Sequence, residues 1–100
     1  MATDKYMNFK EMKLMISGRV QGVGFRHFTR TNAGDLGIKG WVRNLDNGDV
    51  EALIQGPEEK LKLMLEKLKS GPMPARVDHV NIVEETESPE KEEKTFRVVH

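Results

Sequence analysis

MKLMISGRVQGVGFRHFTRTNAGDLG, residues 12–37, changes its hydrophobic period midway. Met12, Leu14 and Ile16 alternate with Lys13, Met15 and Ser17, a period of two that predicts a strand. Phe25, Phe28, Thr29, Ala33 and Leu36 follow a helical spacing, and Gly37 stands where a C-terminal cap is expected. Between the two patterns lies Gly18-Arg19-Val20-Gln21-Gly22-Val23-Gly24, with three glycines in seven residues. Strand, glycine turn and helix in direct succession open a βαβ unit.

The same reading extends along the chain. Ile38, Gly40, Val42 and Asn44 form one face of a second strand, and Lys39, Trp41 and Arg43 the other. Asp46-Asn47-Gly48-Asp49 signals a hairpin, because Asn-Gly tolerates the positive φ angles of a type I′ turn. Val50, Ala52 and Ile54 continue as a third strand. Gly56-Pro57 opens a second helix, at a position where the missing proline N–H costs little. Its apolar stripe is Leu61, Met64, Leu65 and Leu68. Glu58 and Glu59 lie near the positive end of its dipole and Lys67 and Lys69 near the negative end, before Gly71 and Pro72 stop it. Val77, Val80 and Ile82 predict a fourth strand whose imperfect alternation points to a bulge. Phe96 and Val98 mark a last strand. The order β-α-β-β-α-β, plus that final strand, predicts an α+β ferredoxin-like two-layer sandwich: an antiparallel sheet with two helices on one face. Residues 1–10 lack periodicity and read as a loose extension in which Tyr6 and Phe9 cover surface; residues 11–100 form the domain.

One hundred residues allow one domain. The charged share of 32% exceeds the roughly 25% of an average globular protein, which describes a heavily charged surface around a small core. Sixteen basic and sixteen acidic residues cancel, which argues against a mainly electrostatic nucleic-acid binder. The absence of cysteine removes disulfides, thiolate nucleophiles and cysteine-ligated metals. His27, His79 and His100 are far apart in sequence, and no local metal-ligand spacing appears. No apolar run spans a membrane, and Met1 to Asn8 lacks a secretory pattern. A cytoplasmic monomer is the expectation.

The glycine turn is the informative segment for chemistry. Gly22-Val23-Gly24 begins like GxGxxG, but His27 occupies the third glycine position, and no Gly-Lys-Ser/Thr of a Walker loop exists. What remains is a loop whose glycines let backbone N–H groups turn inward as a nest for anionic oxygens. The following helix N-terminus adds free N–H groups and its dipole. Arg26 enters on the first turn, where a guanidinium matches two phosphate oxygens with parallel donors. From Lys10 to Arg43 there are seven basic and two acidic residues, whereas Glu84–Lys94 carries six Glu against two Lys and reads as a solvated loop. The positive half should attract small anions.

Gly18 to Arg26 resembles the acylphosphatase signature GxVQGVxFR. Gly40-Trp41-Val42-Arg43-Asn44 resembles the second motif of that family, GWVxN, with Asn44 eighteen residues after Arg26. Asn47-Gly48, Val50-Glu51 and Gln55-Gly56-Pro57 are similar as well, so the resemblance spans residues 11 to 100. It implies a cofactor-free hydrolase of carboxyl-phosphate bonds, acting on a small-molecule acyl phosphate and releasing inorganic phosphate. It further implies that the loop Gly18, Arg19, Val20, Gln21, Gly22, Val23 and Gly24 binds the phosphate, that Arg26 clamps it and that Asn44 orients the attacking water. The ending Phe96-Arg97-Val98-Val99-His100 departs from the Phe-x-Ile-Arg of relatives, which leaves family-like contacts of the chain end with the site open. Trp41 reads as structural, and His27 and His79 as surface or half-buried polar residues.

The rival reading is a non-catalytic phosphate-binding or interaction module on the same fold, since acylphosphatase-like domains also begin larger carbamoyl-transferring maturation proteins. The ending at His100 without a further domain favours the free enzyme. An RNA-binding sheet would want aromatic residues on its central strands, and Asp49–Gln55 has none.

Overall fold

The computed structural model describes residues 9–100. Tyr6 and the rest of residues 1–8 lie outside them. Strand β1 runs Phe9–Arg19, helix α1 Phe25–Leu36, β2 Lys39–Asn44, β3 Val50–Pro57, helix α2 Glu58–Ser70, β4 Arg76–Thr86 and β5 Phe96–Val99. The sheet order is β4-β1-β3-β2-β5. β1 with β3, β1 with β4 and β2 with β3 pair antiparallel.

Both helices lie on one face because their stripes have nowhere else to be buried. Phe25, Thr29 and Ala33 of α1 and Leu61, Met64 and Leu68 of α2 are buried. They join Met12, Leu14, Ile16, Ile38, Val42, Val50, Ala52 and Ile54 in one core. Each large apolar side chain there contributes about 1.5–3 kcal/mol by leaving water. Gly37 takes φ 71° and ends α1 as a left-handed cap, its N–H reaching back to the last turn.

Four features differ from the sequence reading. The expected all-antiparallel sheet acquires one parallel pair, β2 with β5. The cause is topological. β4 ends beside Glu11, at the end of the sheet where β1 starts. The chain then crosses beneath the sheet to its far edge, and a strand entering from that end runs with β2. The crossing is held by Gln55, 1% exposed, whose amide donates to Glu11 and to the Lys91 carbonyl and accepts from the Glu93 N–H at 2.7 Å. The acidic stretch is therefore not wholly a solvated loop: its first residues extend β4, and its later part is tied to the sheet.

The hairpin turn is not type I′, because no residue other than glycine has positive φ. Gly48 N–H donates to the Leu45 carbonyl and Leu45 N–H to the Asp49 carbonyl, with Gly48 at φ 97°. This is the wider turn ending in a left-handed glycine. Phe9 and Lys10, read as extension, pair with Pro57 and Gly56 in β1. The Lys10 ammonium also sits 2.7 Å from Glu58, holding that carboxyl below its usual range while its own pKa is raised chiefly by the same contact. The bulge expected in β4 is present: its pairing with β1 shifts register between Lys13 and Leu14 and between Ser17 and Gly18.

Gly40 marks the tightest approach. It holds φ 142°, and a methyl group there would run into the backbone carbonyl of Leu53. Neighbours on both sides, β3 and β5, prevent escape. Gly40→Ala is expected to cost about 4 kcal/mol or more, enough to remove the cooperative urea transition.

Candidate active site

β1 delivers the chain into the loop at Arg19, and two apolar side chains hold that loop down. Val20 is buried in the core and Val23 packs against it. Gly22 and Gly24 supply φ 73° and 78°, the left-handed turns that a Cβ would strain. Among the described residues, no backbone N–H from Gln21 to Gly24 donates to a protein acceptor. Gly24 caps α1 without a side-chain hydrogen bond, and the first turn holds no acidic residue. The amides and the positive helix end therefore face outward with no internal anion to satisfy them.

The loop is fastened to the β2–β3 hairpin by one side chain. Gln21 Nε2 donates to the carbonyls of Leu45 and Asp49, both at 2.8 Å. These carbonyls flank the turn that begins just after Asn44, so Gln21 sets the spacing between the loop and Asn44. Asn44 Oδ1 is buried and has no hydrogen-bond partner in the protein. Unmet, such an acceptor would cost about 1–3 kcal/mol, so Asn44 is poised for a donor from outside the chain.

Loop, helix, hairpin and chain end together enclose a cavity of about 330 Å³. Val20, Gly22 and Gly24 line it from the loop, Phe25, Arg26, His27 and Arg30 from α1, Asn44 from β2, and Val98 and His100 from the far edge. No aspartate or glutamate is among its lining residues. Arg26 Nη1 lies 3.1 Å from Nδ1 of His100.

The structure thus brings Val20, Gly22, Gly24, Arg26 and Asn44 together. Gly18, Arg19, Gln21 and Val23 do not line the cavity. Gly18 pairs with Val77, where the close approach of β4 leaves no room for a side chain. Arg19 is exposed at the strand end. His79 is exposed on β4, opposite Ser17. Trp41 lies under the Arg43 guanidinium, 5.4 Å from its ring centre, beside a separate hollow on the helix-free side. Among the described residues no cluster of histidine, aspartate or glutamate could hold a metal ion. Sequence reasoning missed Phe25, His27, Arg30, Val98 and His100 as lining residues. Arg30 was findable, because it follows Arg26 by one helical turn. His100 was not, because its place depends on the parallel pairing of β5.

Gln21→Leu is expected to lower kcat for an acyl phosphate by about tenfold or more, because the loop and Asn44 would no longer share one frame. A kcat within twofold of wild type would show that the hairpin holds its place without the amide.

Fold and site define a class: small two-layer α+β proteins with an anion-receiving amide loop, an arginine and a free carboxamide around one cavity. The Acylphosphatase family profile matches residues 12–98. The acylphosphatase of Koribacter versatilis is 46% identical over 86 residues, covering 86% of this chain and 76% of that protein. The crystal structure of acylphosphatase from Bacillus subtilis superposes with TM-score 0.86 at 36% identity, covering 91% of this chain and 99% of that one. T. kodakarensis HypF aligns with TM-score 0.79 at 31% identity, covering 90% of this chain but 12% of that protein. The chain belongs to the acylphosphatase family and is a hydrolase of acyl phosphates.

Proposed function

We propose that residues 11–100 catalyse this hydrolysis with Arg26 and the loop amides as the phosphate clamp and Asn44 as the holder of water. The observation that supports it best is the convergence on one cavity of unpaired loop amides, an arginine free of carboxylates and an unpartnered carboxamide oxygen. The leaving group is a carboxylate, whose conjugate acid has a pKa near ~4, so it departs without a proton donor. Phosphoryl transfer then needs mainly positioning and charge stabilisation. The loop amides and Arg26 hold the peripheral oxygens. Asn44 orients water so that its oxygen attacks phosphorus as the bond to the acyl oxygen breaks. The electron pair leaves with the carboxylate, and the protons of water end on phosphate and solvent. Neither a metal nor a covalent intermediate enters this scheme.

The substrate is a small molecule, and the enzyme acts as a cytoplasmic monomer without nucleic acid or membrane. The balance of 16 basic and 16 acidic residues supports the absence of nucleic acid, whose binders usually carry a basic surplus. Among the described residues no helix is long and apolar enough to cross a membrane. Hydrolysis of benzoyl phosphate in EDTA tests the proposal: turnover is expected. Phosphate binding without turnover would instead assign a non-catalytic anion-binding module.

A further inference from the structure

Resting on the phosphate site just proposed, the geometry points to His100 as a further ligand of the bound anion, one that takes up a proton as the anion enters. Arginine carries donors only, so at 3.1 Å the Nδ1 of His100 must be the acceptor, and the imidazole that meets Arg26 is the neutral form protonated on Nε2. This contact does two things. It fixes one edge of the guanidinium, and it occupies one of its donors.

Protonation reverses the relation. An imidazolium has no lone pair for Arg26 and would face it as a like charge at the same distance. A dianion between the two removes the repulsion and accepts from both. Anion binding and protonation of His100 therefore favour each other, and the coupling is reciprocal. The comparison that reads this coupling runs between pH 8.0 and 5.5.

The charged and titratable groups around the cavity are Arg26, His27 and Arg30 on α1 and, beyond β5, the imidazole and the main-chain carboxylate of His100. Asp46 and Asp49 follow Asn44 in the hairpin but do not line the cavity, and Arg97 on β5 turns to Glu93. His27 is the other imidazole in the cavity wall. His27 follows Arg26 directly, so its side chain points about 100° further round the helix.

Sulfate is a suitable probe because it stays dianionic across this range, whereas orthophosphate itself titrates. Calorimetric titration of the full chain with sulfate at pH 8.0 and 5.5 is expected to show affinity rising about threefold or more on acidification. His100→Gln, which keeps a carbonyl acceptor for Arg26 but cannot be protonated, should bind sulfate with no such rise. His27→Gln should retain it. An equal rise in wild type and His100→Gln, or loss of the rise in His27→Gln, would overturn the role of His100 while leaving the phosphate site intact. Failure of sulfate to bind wild type at either pH would overturn both.

Discussion

Arg26→Lys is expected to lower kcat/KM for benzoyl phosphate by about 10³-fold, although the charge is conserved. The long-range attraction survives, because an ammonium at this position still faces a cavity lined by no aspartate or glutamate. What is lost is the planar fork. Two parallel N–H groups can meet two oxygens of a phosphoryl group at fixed spacing, and a lysine offers a single rotatable point charge instead. Arg26 is also held by a second contact, with His100, that restricts the plane in which the fork lies. A lysine can donate to the same imidazole but then presents no second edge to the substrate. Phosphate affinity should fall together with kcat/KM, because the clamp acts on the ground state as well as on the transition state. The far-ultraviolet spectrum should not change, since Arg26 makes no core contact. A variant within tenfold of wild type would mean that charge alone serves and that the fork has no special part.

The distribution of charge explains why this arginine is available. The basic residues between Lys10 and Arg43 do not all reach the site. Lys10 pairs with Glu58 and Glu85, Lys13 with Glu84, and Arg43 with Glu51. The acidic crossing after β4 passes the end of the sheet opposite the cavity, next to Gln55 and Glu11. Positive charge that remains without an ion-pair partner among the described residues includes Arg26 and Arg30 on α1, beside the uncapped helix start. Many charges thus cancel in pairs along the sheet, while the two arginines of α1 remain to attract an anion at the proposed phosphate site.

How much of this could be read beforehand follows the range of the interactions. Strands and helices were legible because Met12, Leu14 and Ile16, or Leu61, Met64 and Leu68, carry their partner face in local spacing. The loop was legible because left-handed glycines and a helix start are written within a few residues of each other. The division of that loop was not. Whether Gly18 or Gly22 faces the ligand depends on β4, whose Arg76 and Asp78 backbones crowd Gly18 from more than fifty residues away. The hairpin was found but its turn type was not, because Asn-Gly suits both the narrow turn and the wider one, and Gln21 binds the wider. His100 lay beyond reach for the reason that also hid the parallel pair: nothing local states on which edge a four-residue strand will dock.

Asn44→Ala is expected to reduce kcat by about 10²–10³-fold while the inhibition constant of phosphate changes by less than about twofold. Asn44 enters the cavity from β2, across from the amide loop, and its oxygen has no partner within the protein. An amide is too weak a base to remove a proton from water in a separate step. It can accept one hydrogen bond and donate another, which directs a lone pair at phosphorus and lowers the entropy lost in reaching the reactive arrangement. In the proposed scheme the loop amides and Arg26 hold the phosphoryl oxygens, so binding of the product ion should not need Asn44. Stability should hold or rise slightly, since the substitution removes a buried acceptor that no protein donor satisfies. Asn44→Asp sharpens the test. A carboxylate there could also accept from water, but it would set a negative charge against an incoming phosphate, so KM should rise and kcat should fall. If Asn44→Ala instead weakened phosphate binding in proportion to its loss of rate, the carboxamide would be a ligand of the anion, and the water would have to be held by another group.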